Sequence, residues 1–261
     1  MRIVAAGIAD ERGVHGTSGL ALDWEAAGID PLGDPFPWER IAPGTSKGYR
    51  RLDRVSRLAC LAAEAAAPDA HLGPTQREET ALVLGSTYGC LDKDLRFERS
   101  LHTTEVASGL FPFTLPSACL GILAIRFGLR GPTHCLSTAP DELNQAIDEA
   151  RSLIEGGEAA AALVCLGDCL PDSEAATLGV DPRLTFTAFL MTPGQLSTSG
   201  DAEMSGRVAR TGAAESSGQK AASGAAEGGV IALQALLDAA DPIAALAAKL
   251  RQRQPRTIEP W

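Results

Sequence analysis

A chain of 261 residues (27.1 kDa) with 45% hydrophobic side chains holds enough apolar material for one large domain or two small ones. Its formal charge of −10, from 33 acidic against 23 basic residues, excludes a nucleic-acid partner held by phosphate neutralisation. No apolar run approaches the roughly 18–20 residues that cross a bilayer, and the opening MRIVAAGIADERG is too short in apolar residues for a secretory leader, so a cytoplasmic protein without a membrane span is expected.

Residues 2–8 are apolar and end in small side chains, which predicts a buried strand. The Gly/Pro/Trp-rich stretch 28–48 has no period and is expected to be loop. Over 51–67, Leu52, Val55, Leu58, Ala59 and Ala62 recur at helical spacing, giving an amphipathic helix that Pro68 stops. TALVLG (80–85) predicts a buried strand feeding a loop, and the two prolines of FPFTLP (111–116) oppose regular structure. Residues 117–127 predict a helix closed by Gly128. A strand over 133–138, a helix over 140–155 with Leu143, Ile147, Ala150 and Ile154 on one face, and strands over 160–166 and 186–190 follow. Strands alternating with helices predict a layered α/β domain. A Ser/Gly/Ala-rich loop begins near residue 192, with terminal helices expected over 230–237 and 243–250.

The six cysteines (60, 90, 119, 135, 165 and 169) mostly lie in apolar segments, where a thiol behaves as a small hydrophobe. Cys165 and Cys169 are four apart without a second pair at zinc spacing, so neither a metal nor another cofactor is expected.

Five segments in this order resemble the N-terminal half of β-ketoacyl synthases: the first strand with Gly7, RRLDRVSRLACLAAEAA (50–66), ALVLGSTYGCLDKDLRFERSL (81–101), IRFGLRGP (125–132) and ARSLIEGGEAAAALVCLGD (150–168). The resemblance implies an α/β thiolase-like layered αβαβα fold, usually dimeric. It further implies that residues 1–195 are a complete N-terminal-like domain and 196–261 an abbreviated C-terminal remnant.

In that family the strand after Gly-Pro leads to a nucleophilic cysteine that opens a buried helix. Here the run is GPTHCLSTAPDEL, and counting from Gly131-Pro132 places Pro140 at the nucleophile's position. Proline has no nucleophile and no backbone N–H, so it can neither form an acyl-enzyme nor donate to the thioester oxyanion. Loss of one such donor typically costs roughly 10²–10³ in rate. Proline does suit a first helical turn, where Asp141 and Glu142 would face the positive helix end. Cys135 lies five residues earlier, and alternation along the strand turns it away from His134. The family's two catalytic histidines lie in its second half, whereas none of the four histidines here follows His134.

By the same resemblance, a subunit without the cysteine that pairs with an active ketosynthase is a chain-length factor. The expectation is therefore a subunit without catalytic residues, in a heterodimer that shapes an acyl tunnel in polyketide, polyene or fatty-acid-type synthesis. Interface and tunnel candidates are Thr133, His134, Cys135, Leu136 and Ser137, with Phe111, Phe113 and Leu115. Arg50, Arg51, Arg54 and Arg57 are candidates for transient docking of an acidic acyl carrier protein. Two alternatives stand beside this: an independent acyltransferase or hydrolase using Cys135, Cys119 or a serine, and a purely structural scaffold.

Overall fold

The apolar opening of the chain forms strand β1 (Arg2–Asp10), followed by a hairpin of β2 (Gly13–Gly16) and β3 (Ala21–Asp23) that the sequence pattern did not announce. In the computed structural model residues 1–34, 36–41, 52–68, 71–139, 142 and 144–194 are described; the expected terminal helices lie outside them. Helix α1 (Trp24–Ala27) precedes the stretch 28–48 expected to be loop, and α2 (Trp38–Ile41) interrupts it. Helix α3 (Arg54–Ala66) is N-capped by the Asp53 carboxylate, which accepts from the Ser56 N–H, and ends at Ala67 in a left-handed conformation just before Pro68. There follow α4 (Pro74–Glu78), β4 (Thr80–Ser86), α5 (Leu91–Leu101), a 3₁₀ turn (Ser108–Phe113) and α6 (Ser117–Phe127), closed by left-handed Gly128. Strand β5 (Thr133–Ser137), α7 (Asn144–Glu155), β6 (Ala161–Leu170), α8 (Asp172–Leu178) and β7 (Arg183–Thr192) complete the described chain.

The seven strands form one mixed sheet in the order β3-β2-β1-β7-β6-β4-β5. Strands β5, β4 and β6 are parallel, while β7 runs antiparallel between β6 and β1. The two crossovers leave opposite faces of the sheet. The β4-to-β5 connection lays α6 beside α3, over Leu82, Leu84, Leu163, Cys165, Ala188 and Leu190. The β5-to-β6 connection lays α7 on the other face, where Ala146, Ile147, Ala150, Leu153 and Ile154 pack with Val83, Val164 and Phe189. Alternation along each strand supplies both faces with apolar side chains.

Helix α3 sits directly on β1 and β2 because both sides of that contact are small. A Cβ on Gly7 would stand 2.2 Å from the Ala62 carbonyl oxygen, and one on Gly16 2.0 Å from that of Ala65. The alanines of α3 and these glycines therefore let backbone approach backbone. Arg126 of α6 ties to Glu64 of α3 by a two-pronged pair (Nε–Oε1 2.6 Å, Nη2–Oε2 2.9 Å), fixing the two helices of this face together.

Candidate functional site

The carboxyl ends of parallel strands are where open α/β sheets place their ligands, and here those of β4, β5 and β6 converge. Asp168, buried near the end of β6, accepts three hydrogen bonds on Oδ1: from Ser86 Oγ (2.6 Å), Thr87 N–H (2.9 Å) and Tyr88 N–H (2.8 Å). Ser86 Oγ in turn accepts from the Gly89 N–H at 2.8 Å. One carboxylate thus freezes the turn that leaves β4. The Thr138 N–H then donates to the Ser86 carbonyl (3.1 Å), which fixes the end of β5 against that turn.

Pro140 itself, with Asp141 and Leu143, lies outside the described residues. The neighbouring geometry corrects one expectation. Helix α7 starts at Asn144, and Glu142 precedes it: the Glu142 N–H donates to the Ala139 carbonyl (2.9 Å), and Gln145 N–H to the Glu142 carbonyl (3.0 Å). Glu142 is therefore part of a connecting turn rather than of the helix's first turn. Among the described residues, the hydroxyls of Thr87 and Thr138 and Oδ1 of Asn144 are buried around this junction without a hydrogen-bond partner.

Among the described residues strand β5 is an edge of the sheet. Leu82 N–H bonds the Pro132 carbonyl and Thr138 N–H the Ser86 carbonyl. With period-two alternation, the backbone groups of His134 and Leu136 face β4, while those of Thr133, Cys135 and Ser137 point outward from the sheet. The side chains of those same three residues are exposed on the α6 side, whereas His134 and Leu136 are half-buried on the α7 side. His134 Nδ1 lies 2.5 Å from Glu149 Oε1 of α7. Cys135 and His134 therefore point apart, and burial pushes the Cys135 thiol up, away from a reactive thiolate. Cys119, the other thiol considered for chemistry, is wholly buried and its thiol is pushed well up for the same reason. Cys135 also departs from the expectation of buried cysteines; the other five are buried.

Apolar side chains are exposed on the 3₁₀ turn and on α6, the helix that packs beside β5. Phe111 and Leu115 are each 63% exposed and Phe113 is half-buried; Phe111 stacks at 5.8 Å on Phe97 of α5. Ile125, near the C-terminal end of α6, is 86% exposed and was not singled out by the sequence reading. Its exposure follows from the helical spacing Ser117, Gly121, Ile125, which marks the outer face of α6.

The basic cluster is placed differently from the expectation. Arg50 and Arg51 lie outside the described residues. Arg57 is buried: its guanidinium donates to the carbonyls of Pro31 (3.1 Å) and Gly33 (2.8 Å) and to the Asp34 carboxylate (2.6 Å), and stacks on Phe36 at 4.7 Å. It clamps the loop before α2 and presents no face to a carrier protein. Arg54 pairs with buried Asp92 at 3.2 Å, which Lys93 also approaches at 3.8 Å. Burial, more than the repulsion of Arg96, lowers the Lys93 amine.

Among the described residues no helix is long and apolar enough to cross a membrane, and no group of three or more His, Cys, Asp or Glu is placed to hold a metal.

Comparison with known proteins agrees with this geometry. Over 127 residues, 46% of the chain, it is 30% identical to 3-oxoacyl-[acyl-carrier-protein] synthase 2 of Synechocystis, of which it covers 30%. Among solved structures it is similar to the ishigamide ketosynthase/chain length factor (21% identity, 76% of this chain and 63% of that one, TM-score 0.57). It is also similar to a β-ketoacyl synthase from Burkholderia phymatum (18% identity, 74% and 59%, TM-score 0.51). A third likeness is to the AntDE:AntF complex of a type II polyketide synthase acyl carrier protein with its ketosynthase (17%, 73% and 62%, TM-score 0.50). In each case the chain spans less than two thirds of the relative's length. The structural likenesses show the thiolase-like fold class that the sequence led us to expect. The family model for the β-ketoacyl synthase N-terminal domain matches residues 37–239, and the chain belongs to that family.

Proposed function

We propose that this chain is a ketosynthase-like subunit that does not form an acyl-enzyme itself, and that it pairs with an active β-ketoacyl synthase and shapes the tunnel for the growing acyl chain. The observation that carries this reading is Pro140, which occupies the nucleophile's place in the family's GP-strand-helix motif. A side chain without sulfur or hydroxyl cannot take an acyl group, and an imino nitrogen cannot donate to an oxyanion. Three further features support it. The nearest exposed thiol, Cys135, lacks an imidazole on its face. Strand β5, which leads to Pro140, has an edge unpaired among the described residues, which a partner's strand can extend. Phe111, Leu115 and Ile125 leave apolar side chains exposed on the 3₁₀ turn and at the two ends of α6, the helix beside β5, as residues that an interface or acyl chain covers do.

In such a tunnel the partner supplies the chemistry and this chain supplies apolar wall. Each further two-carbon unit buried contributes about 1.6 kcal/mol, at ~0.8 kcal/mol per CH₂. One bulky residue that blocks such a unit is then enough to change the principal product. An acyl carrier protein would deliver the chain to the complex, with Arg50 and Arg51 as the remaining docking candidates.

Co-expression with an active β-ketoacyl synthase tests the reading. A stable one-to-one complex is expected, with Leu115→Trp shortening the product and Phe111→Ala lengthening it. Decarboxylation of a malonyl thioester by the isolated chain would overturn the reading.

A further inference from the structure

One helix is too narrow to close the α7 face of the sheet. On that face Ile3, Ala6 and Ile8 of β1 and Phe189 and Met191 of β7 are at most 2% exposed, as buried as the side chains of β4 and β6. Among the described residues, every helical member of this apolar cluster belongs to α7, which lies over β4 and β6. Neighbouring strands stand about 4.8 Å apart and the order is β1-β7-β6-β4, so β1 lies roughly 12 Å sideways from the axis of α7. A helix reaches only about 5–6 Å to either side of its axis. Another part of this chain therefore closes off the apolar side chains of β1.

The geometry says what shape that cover has. A second helix laid beside α7 at the usual interaxial distance of about 8–10 Å sits two strand spacings along, between β7 and β1. The stretch from Ile3 to Ile8 is about 17 Å long at ~3.4 Å per residue, which a helix spans with about twelve residues at ~1.5 Å each. The chain is also delivered to this place. After β7 it reaches Gly194, where a Cβ would stand 3.5 Å from the Met1 nitrogen, at the start of β1. Of the residues that follow, which lie outside the described ones, Ala226, Val230, Leu233 and Leu237 recur at the spacing of one helical face over that length. Glu227, Gln234 and Asp238 fall together on another face. The later apolar stretch 243–250 is too short, covering only about 10 Å as a helix. We infer that residues 226–237 fold back as a helix beside α7 and close the apolar face of β1 and β7, so that the chain completes this core with a helix of its own. That sheet face is then closed to any partner subunit.

The test uses the full chain with a reporter thiol on the covered face, Ile8→Cys in one variant and Ile3→Cys in another. Native-state alkylation is followed at that site by peptide mapping. The reporter is expected to react far more slowly than Cys135, at a rate independent of protein concentration. Adding Leu233→Asp should speed its alkylation at least tenfold, whereas Leu246→Asp should leave it unchanged. Should the Leu233→Asp chain fail to fold, Leu233→Ala serves, with a rise of threefold or more while circular dichroism stays that of the folded chain. A rate that neither Leu233 substitution changes overturns the inference. Protection that is lost on dilution overturns it too, because the cover is then a second copy of this chain. A reporter that reacts as fast as Cys135 with Leu233 intact shows the face open, and one that Leu246→Asp speeds as much as Leu233→Asp moves the cover off residues 226–237; either result overturns it.

Discussion

Replacing Asp168 with alanine removes the single acceptor shared by Ser86 Oγ, Thr87 N–H and Tyr88 N–H. Each buried donor left without an acceptor costs about 1–3 kcal/mol, and water can reach the partly exposed Thr87 and Tyr88. The expected loss is therefore about 3–5 kcal/mol rather than the full sum. Asp168→Asn keeps a carbonyl oxygen that can occupy the same point and forfeits only the charge assistance, about 1–2 kcal/mol. Urea denaturation followed by circular dichroism measures both. Hydrogen exchange adds a local readout: the Thr138 N–H, bonded to the Ser86 carbonyl, should lose protection in Asp168→Ala before the core of β6 does. An alanine variant within about 1 kcal/mol of wild type, or an asparagine variant as damaged as the alanine one, would refute the view that this carboxylate holds the strand ends together.

Three other outcomes follow from the structure. Gly7→Ala drives a methyl to 2.2 Å from the Ala62 carbonyl oxygen and 2.6 Å from the Ala66 nitrogen. Because both are backbone atoms, α3 must shift, and a loss of about 3 kcal/mol or more is expected by thermal or urea unfolding. Native-state alkylation should modify one thiol per chain quickly, and Cys135→Ser should abolish that phase. The other five are buried, and burial holds the thiols of Cys90 and Cys165 up at about 12 and also raises that of Cys169. Burial raises the Asp53 carboxyl above its ordinary range, so its contribution to stability is present in acid and is lost as pH rises through the raised value. Asp53→Asn keeps an oxygen for the Ser56 N–H and should flatten stability against pH above the ordinary carboxylate range; an unchanged slope would count against this cause.

What the sequence disclosed depended on whether the signal was local. Helix α6 was readable to the residue because its apolar period meets a left-handed glycine at 128. Strands β6 and β7 ran longer than their apolar runs because they pair with each other from 162–170 against 183–191, and that partnership is tertiary. The β2–β3 hairpin was invisible because its short, mixed strands exist only by pairing on β1. Helix α5 was hidden by its charges: LDKDLRFERSL buries Asp92 and Lys93, which a reading of apolar periods assigns to solvent. Arg57 failed in the same way, since nothing near it in the sequence tells that the loop carrying Pro31, Gly33 and Asp34 folds over it. The edge position of β5 among the described strands was expected by resemblance to a known family.

The proposed role turns on Pro140, a residue that cannot carry an acyl group. Incubating the purified complex with an acyl-loaded carrier protein and weighing each subunit intact by mass spectrometry addresses that directly. An acyl adduct on the partner synthase with none on this chain is the predicted result; a stoichiometric acyl adduct on this chain would contradict it.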